Sequence, residues 1–528
     1  MTAPRVLTPL RTFLLGAALI AAALGVLLST REWGFGRQPD FVPDPKLSAA
    51  ENEAHAARFP MLLEDQYDRL AYQKRGRWVA SGATPYLEEF SEYPQLTTWL
   101  MGLPYLCFEH GVAAGSPYDT RERVWTWFAE RRVPRSWFDA LDEALERTPL
   151  QPERLEELPS LAPLLEQLAG RPDIDQGAAR ERILELWGAW NAYRAEIARN
   201  RDAYADWHQV WMALWYLALL AGSIRLLVRL GQPPGYALLL LGPATLFFGF
   251  SRFDLVVSAQ LCLTVLAWVS GRYALGGLGL GVAAMTKWWP GFLGPLLAFW
   301  ALREGLGEAR ARGQRPDLPA LIGRRVLLPG AIALGFCTLV LGITYAWDDG
   351  GWPAVRFLLD WHQKTRLPNH ASALTLLTEP AYLGWFAPEQ REALGRVFSA
   401  LQLGTPLLLC LLPIRDRQTL LKACLASALG MLLFQKFFSP QWVLWATTLA
   451  IPLAARSRVY LLATVALDVL IYVQLPLSYY HTLLHTPDPS QPSAFWTISY
   501  VRLFAFGAYW LFVLGDAVRG ALAPRPAG

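Results

Sequence analysis

Twelve long apolar runs separated by polar connections constrain this chain more than any other feature. They fall at 12–29, 208–230, 236–250, 255–270, 273–287, 289–302, 326–346, 398–413, 419–434, 441–454, 459–476 and 499–518. A bilayer-spanning helix needs about 20 mostly apolar residues, and only a helix or a closed barrel satisfies its own backbone in lipid. The 528 residues are only 17% charged, against about 25% in an average soluble domain. The runs predict an all-α polytopic membrane protein with about twelve transmembrane helices. Several runs are short for a span. Pro243, Pro290, Pro295 and many glycines predict kinked or broken helices, which are tolerated where neighbouring protein covers the backbone.

Basic residues set the expected orientation, because Lys and Arg are retained in short cytoplasmic loops. Arg225, Arg229, Arg272, the arginines from Arg303 to Arg325, Arg415, Arg417, Lys422, Arg456, Arg458, Arg519 and Arg525 can all be cytoplasmic together, with both termini inside. That solution requires the apolar stretch 93–108 to stay on one side. The expected layout is then an N-terminal anchor over 1–30 and an outer first loop with juxtamembrane helices over 31–112. A soluble helical insertion follows over 113–207, then a bundle over 208–520 with an outer loop at 347–397, and a tail over 521–528. The first run follows Arg5 and Arg11. It reads as a retained anchor rather than a signal peptide, since the residues after it make a poor small-residue cleavage site. The insertion is acidic and lacks lysine, and Trp125, Trp137, Trp187 and Trp190 recur at helical spacing. They predict a small core or a cap lying on the membrane, with a role in acceptor recognition as the alternative.

Other function classes lose ground on composition. A net charge of +4 leaves no nucleic-acid footprint. Cys107, Cys262, Cys337, Cys410 and Cys424 form no CxxC pair and read as small apolar residues. The seven histidines lack paired metal-ligand spacing, and no nucleotide-binding loop is visible. Asp468, in the middle of an apolar run, predicts a buried partner carrying a hydroxyl or a guanidinium.

The most specific stretch runs from Asp65 through Asp68 and Tyr72 to Gly82, then Pro85-Tyr86, Glu89-Phe90 and Glu92-Tyr93-Pro94. This string resembles the first outer loop of the GT-C superfamily of membrane glycosyltransferases. It is most similar to the family 87 enzymes, which take mannose from a polyprenyl phosphate. Three further stretches resemble the same family: Arg252-Phe253-Asp254, the Gly-rich helix ending at Lys287 before Pro290, and Phe438-Ser439-Pro440-Gln441-Trp442 with Trp445. Arg366, Asn369 and Ser372 match a fourth motif in part, with Ala371 where a carboxylate is usual. Gln95 stands where a second proline is usual. The resemblance covers most of the chain outside 113–207.

The resemblance implies an inverting transfer of a sugar from a polyprenyl-phosphate donor to a lipid-linked or secreted acceptor. Such a reaction needs one carboxylate to accept the acceptor hydroxyl's proton. It also needs cations or donors for the growing charge on the phosphate. Asp68 is the expected base, with Asp65 and Glu64 its rivals three and four residues earlier, on nearly the same helical face. Lys287, Arg366, Arg252, Lys436 and His362 are the expected phosphate contacts. Tyr72, Tyr86, Glu89, Glu92, Tyr93, Asp254, Asn369, His370, Ser372, Gln441, Trp289 and Trp442 are the expected substrate contacts. No cofactor is expected, since the lipid-linked sugar is a substrate and no divalent metal is predicted. The expected partners are the bilayer, the lipid donor and a glycan or glycolipid acceptor, in a bacterial cytoplasmic membrane. Asp254 and Lys287 also admit a blander reading as a mutual structural ion pair, because ionisable residues are costly in a membrane. A secondary transporter or lipid flippase is the main rival function. A non-catalytic scaffold using 113–207 for partner binding is the second.

Overall fold

The computed structural model of the protein describes residues 7–29, 66–87, 91, 93–112, 117–147, 161–347, 350–364, 372–379, 382–478 and 494–523. No strand occurs among them. In chain order the helices are α1 (Pro9–Ser29), α2 (Gln66–Gly76), α3 (Trp78–Ser81), α4 (Gln95–Gly102), α5 (Pro117–Glu130), α6 (Arg135–Arg147), α7 (Ala162–Ala169) and α8 (Gln176–Arg229). Then come α9 (Pro243–Gly249), α10 (Asp254–Val269), α11 (Tyr273–Thr286), α12 (Gly294–Ala311), α13 (Leu318–Ile322), α14 (Leu328–Ala346) and α15 (Gly351–Lys364). The last are α16 (Ala373–Thr378), α17 (Arg391–Leu411), α18 (Arg417–Leu433), α19 (Val443–Ala454), α20 (Arg458–Tyr472) and α21 (Ala494–Leu522).

Six helical segments among the described residues are long and apolar enough to cross a bilayer: Pro9–Leu28, Gln176–Arg229, Leu318–Ala346, Pro388–Leu411, Arg458–Ser478 and Phe495–Leu522. A seventh arises if α9 and α10 count together, but they bend by 107° at their break. The expected twelve is not reached by this measure. The other apolar runs fold as helices of 7 to 18 residues. Proline explains much of this. Pro243, Pro290, Pro295 and Pro440 each occupy the first turn of a helix or 3-10 turn, where a missing N–H costs nothing.

Helix α8 crosses the expected 207/208 boundary without interruption. Its 54 residues extend about 80 Å at 1.5 Å per residue. Asp175 caps its N-terminus, accepting from Gly177 N at 2.9 Å and Ala178 N at 3.2 Å. Gly231 at φ +67°, followed by Pro233 and Pro234, ends it. The N-terminal half packs with α5, α6 and α7 around a separate core containing Val124, Phe128, Trp137, Phe138, Trp187 and Trp190. Trp125 packs against its edge. Asp142 anchors this core, taking Trp190 Nε1 at 2.9 Å and Arg121 Nε at 2.5 Å. These tryptophans are thus packed in or against the core.

The basic residues converge on one end of the bundle. Arg325 reaches Glu308 at 2.7 Å and the Tyr273 hydroxyl at 3.0 Å, and Arg417 reaches Glu304 at 3.5 Å. Arg303 donates to the Cys410 and Leu412 carbonyls that close α17. Arg456 donates to the Leu230 carbonyl after α8, and Lys422 pairs with Asp516 at 2.8 Å. Leu7, before α1, lies beside Gly235 at this same end. The α10–α11 turn is also here, so the far tips of that helix pair lie at the opposite end.

Asp468 meets the hydroxyl expected of it. Its carboxylate accepts from Ala244 N (3.1 Å), Thr245 N (3.0 Å) and Thr245 Oγ1 (2.6 Å). It thereby supplies α9 with the N-cap that Gly242 lacks, and a Cβ on Gly242 would collide with it. Replacing Asp468 with leucine strands these buried donors. A loss of about 2–3 kcal/mol is expected, measured as reduced stability to unfolding in mixed micelles. Cys262, Cys410 and Cys424 are buried and unpaired as expected, whereas Cys107 is exposed.

Candidate functional site

The site begins with α10 and α11. They pack antiparallel through a tight turn with Gly271 at φ +74°. An antiparallel pair of similar length must bring the start of one helix beside the end of the other. Asp254 is the first residue of α10 and Lys287 directly follows α11. Each charge also suits its helix dipole, the acid at an N-terminus and the base at a C-terminus. The result is an ion pair, Lys287 Nζ to Asp254 Oδ1 at 3.2 Å, with side chains 20% and 1% exposed. Glycines let α11 lie against its neighbours at backbone distance. A Cβ on Gly277 would overlap the Pro329 carbonyl of α14, and one on Gly279 would meet Thr264 Oγ1 of α10.

Aromatic rings from distant segments enclose the ammonium. Lys287 Nζ lies 5.3 Å from the Tyr93 ring centroid, 5.7 Å from Trp442 and 5.5 Å from Trp445. Each is within cation–π range. Trp442 and Trp445 stack at 5.3 Å, and Trp289 stacks on Trp445 at 4.9 Å. Tyr72 packs edge-on against Tyr93 and Phe253. Burial pushes the Tyr72 hydroxyl well above its ordinary pKa, and Tyr93 and the Asp254 charge push the same way. It stays protonated. Arg75 lies over the other cation's partner ring, Tyr93, at 5.3 Å.

The first-loop segment is held in place by backbone contacts. A Cβ on Gly76 would overlap the Met101 carbonyl, so α2 and α4 touch directly. Thr97 Oγ1 donates to the Thr286 carbonyl at 2.5 Å, tying α4 to the end of α11 beside Lys287. Tyr86, at φ +74°, donates to the Tyr93 carbonyl at 2.8 Å. It is buried and supports Tyr93 from behind. On the other side Arg77 makes a buried fork with Glu196 of α8, at 2.5 and 2.9 Å.

Four buried polar atoms in this cluster have no hydrogen-bond partner among the described residues. They are Asp254 Oδ2 and the indole Nε1 of Trp289, Trp442 and Trp445, and the same holds for Oε1 of the buried Gln441, the residue before Trp442. Leaving a buried donor or acceptor unmet costs about 1–3 kcal/mol each. A polar ligand offering both acceptors and donors would recover that cost.

The structure thus brings together Tyr72, Tyr93, Asp254, Lys287, Trp289, Gln441 and Trp442. Arg252 lies buried in the α9–α10 break, two residues before Asp254. Lys436 is exposed in the connection after α18. Ser372 sits elsewhere: its hydroxyl caps α16 by accepting from Thr375 N at 3.2 Å, beside a cluster containing Phe398, Phe434 and Trp496. Asp68 lies on α2, four residues before Tyr72. His362 lies on α15. Asp65, Glu89, Glu92, Arg366, Asn369 and His370 lie outside the described residues. One contributor was not anticipated. Arg75 is three residues after Tyr72, so helical spacing already put it on that face, and it lies over the Tyr93 ring. No protein family matches the chain, and no curated protein does.

Proposed function

We propose that this protein is an inverting membrane glycosyltransferase of the GT-C type. It transfers a sugar, mannose in the first instance, from a polyprenyl phosphate to a lipid-linked or secreted acceptor at the outer face of a bacterial cytoplasmic membrane. One observation carries the reading. Tyr93, Asp254, Lys287 and Trp442 come from four sequence segments that each resemble the family, and they meet in one cluster opposite the basic end of the bundle. With the basic end cytoplasmic, the cluster faces outward, where a lipid-borne donor presents its phosphate. The shorter apolar helices then complete a bundle of about twelve membrane-embedded segments around it.

In the proposed reaction the acceptor hydroxyl oxygen attacks the anomeric carbon opposite the phosphate. The carbon–oxygen bond to the phosphate breaks and polyprenyl phosphate departs with the electron pair. Asp68 takes the hydroxyl proton, and the configuration inverts. Lys287 faces the departing phosphate and offsets its growing charge. Asp254 holds the ammonium in place and the indoles and Tyr93 exclude water.

The test is release of polyprenyl phosphate from a panel of polyprenyl-phosphate sugars. Membranes containing the protein are supplied with total lipid extract as acceptor. Release from one donor, mannose first, is expected. A folded protein that releases none from the panel, yet moves the lipid across the bilayer, would be the flippase instead.

A further inference from the structure

The outer domain that α5, α6 and α7 form on α8 takes no part in the proposed reaction, yet it shares α8 with the site. Tyr193 and Ile197 of α8 belong to its buried core, and the Trp190 ring lies 5.8 Å from that of Tyr193. The same two residues meet the first-loop segment. The Arg77 guanidinium lies 5.1 Å from the Tyr193 ring centroid, and Gln73 Nε2 donates to the Ile197 carbonyl at 2.9 Å. Further along α8 the Tyr204 hydroxyl donates at 2.8 Å to the Met101 carbonyl, the group that Gly76 packs against.

The Arg77–Glu196 fork stands at the same level of α8. Arg77 occupies the break between α2 and α3, and the two side chains are 3% and 5% exposed. Desolvating two charges offsets most of their attraction, so a buried ion pair adds little stability over apolar side chains of similar volume. What it supplies is register. Apolar surfaces slide and repack, whereas a bidentate fork has one geometry. Arg77 reaches both carboxylate oxygens only with the α2–α3 break at one height on α8. Helix α2 carries Asp68 and Tyr72, and Tyr72 packs on Tyr93 beside Lys287. Contacts therefore run unbroken from Trp190 in the outer core through Tyr193, Arg77 and α2 to the ammonium.

We infer that the outer domain is a positioning domain for the first loop, and that Arg77 and Glu196 are the positioning residues through which its core sets the height of α2 beside Lys287. This rests on the proposed function and deepens it. The domain acts on turnover rather than on donor binding, because it fixes the element that carries Asp68 and leaves the Asp254–Lys287 pair untouched.

The test is the full-length double variant Arg77→Met with Glu196→Leu, which separates register from stability. Replacing both partners of a buried pair with apolar side chains leaves stability largely unchanged, so it should unfold in mixed micelles at the wild-type midpoint. Polyprenyl phosphate release should show kcat lowered by about tenfold or more, with KM for the donor within about twofold. Amide hydrogen exchange gives a readout independent of activity. Exchange in α2 and α3 should be several-fold faster in the double variant. It should also be faster in Phe128→Ala, which opens a cavity in the outer core, while α18 and α19 keep the wild-type rate. Arg77→Lys keeps the charge and loses the fork. It should lose kcat several-fold at unchanged KM, and it carries the test if the double variant does not fold. A double variant with wild-type kcat and wild-type exchange in α2 overturns the inference and leaves the proposed function standing. So does a Phe128→Ala protein that loosens its own core alone. A wild type that releases no polyprenyl phosphate from any donor overturns the proposed function, and the exchange rates then decide the coupling by themselves.

Discussion

Replacing Lys287 with methionine is expected to destabilise the protein by about 3 kcal/mol, and replacing Asp254 with asparagine by only about 1 kcal/mol. Breaking a buried ion pair is costly chiefly because it leaves the other charge unpaired. Asp254 is 1% exposed, so its carboxylate has no route to water once the ammonium is gone. Lys287 is 20% exposed. A lysine freed from its partner extends its ammonium to the surface and keeps its stem in the apolar wall. The double replacement removes both charges and should recover most of the loss. Reversible unfolding in mixed micelles measures the cycle. Activity should divide differently. If Lys287 meets the donor phosphate, polyprenyl phosphate release falls by roughly a hundredfold or more in both variants lacking it, including the one whose stability recovers. Recovery of activity with stability would make the pair purely structural.

That meeting was legible in the sequence before any coordinate. Two apolar runs joined by a Ser-Gly-Arg turn must fold antiparallel, and Asp254 and Lys287 bracket them. The hydroxyl beside Asp468 was legible for a similar reason, since a carboxylate inside an apolar run needs a donor. What hydropathy could not supply was the bend. Runs 236–250 and 255–270 look like two spans, but they fold as a pair broken at residues 250–253. The continuity of α8 through residue 207 was illegible for a different reason. Hydropathy changes near residue 208 while helical propensity does not, so α8 runs on through both environments. The aromatic wall was only half legible. Trp442 and Trp445 share one sequence motif, but stacking of Trp289 on Trp445 is a tertiary fact with no local signal. Tyr86 and Ser372 carry a further lesson. Their hydroxyls serve Tyr93 and the α16 cap, tasks that depend on which backbone groups lie nearby.

Asp68→Asn is expected to reduce polyprenyl phosphate release by about a thousandfold, within the range general-base catalysis contributes. The expectation rests on register. Asp68 precedes Tyr72 by four residues on α2, about one helical turn. Tyr72 packs against Tyr93, whose ring flanks Lys287. Tyr72 thus faces the cluster, and the register of the helix around it is fixed from both sides. The Gly76 contact to Met101 and the Thr97 bond to Thr286 tie α2, α4 and α11 together. The Arg77 fork to Glu196 holds the following turn on α8. A base must lie within hydrogen-bond reach of the proton it takes, directly or through one water. A helix clamped in this way can hold it there. The asparagine is isosteric, so a merely structural carboxylate would show its loss in stability first. A base shows a rate loss with donor binding retained and with the rising limb of the pH profile removed. Asp65 precedes Asp68 by three residues in the sequence, and Asp65→Asn should cost tenfold at most. If the two losses exchange places, the base is Asp65 and the donor site stays where Lys287 holds it.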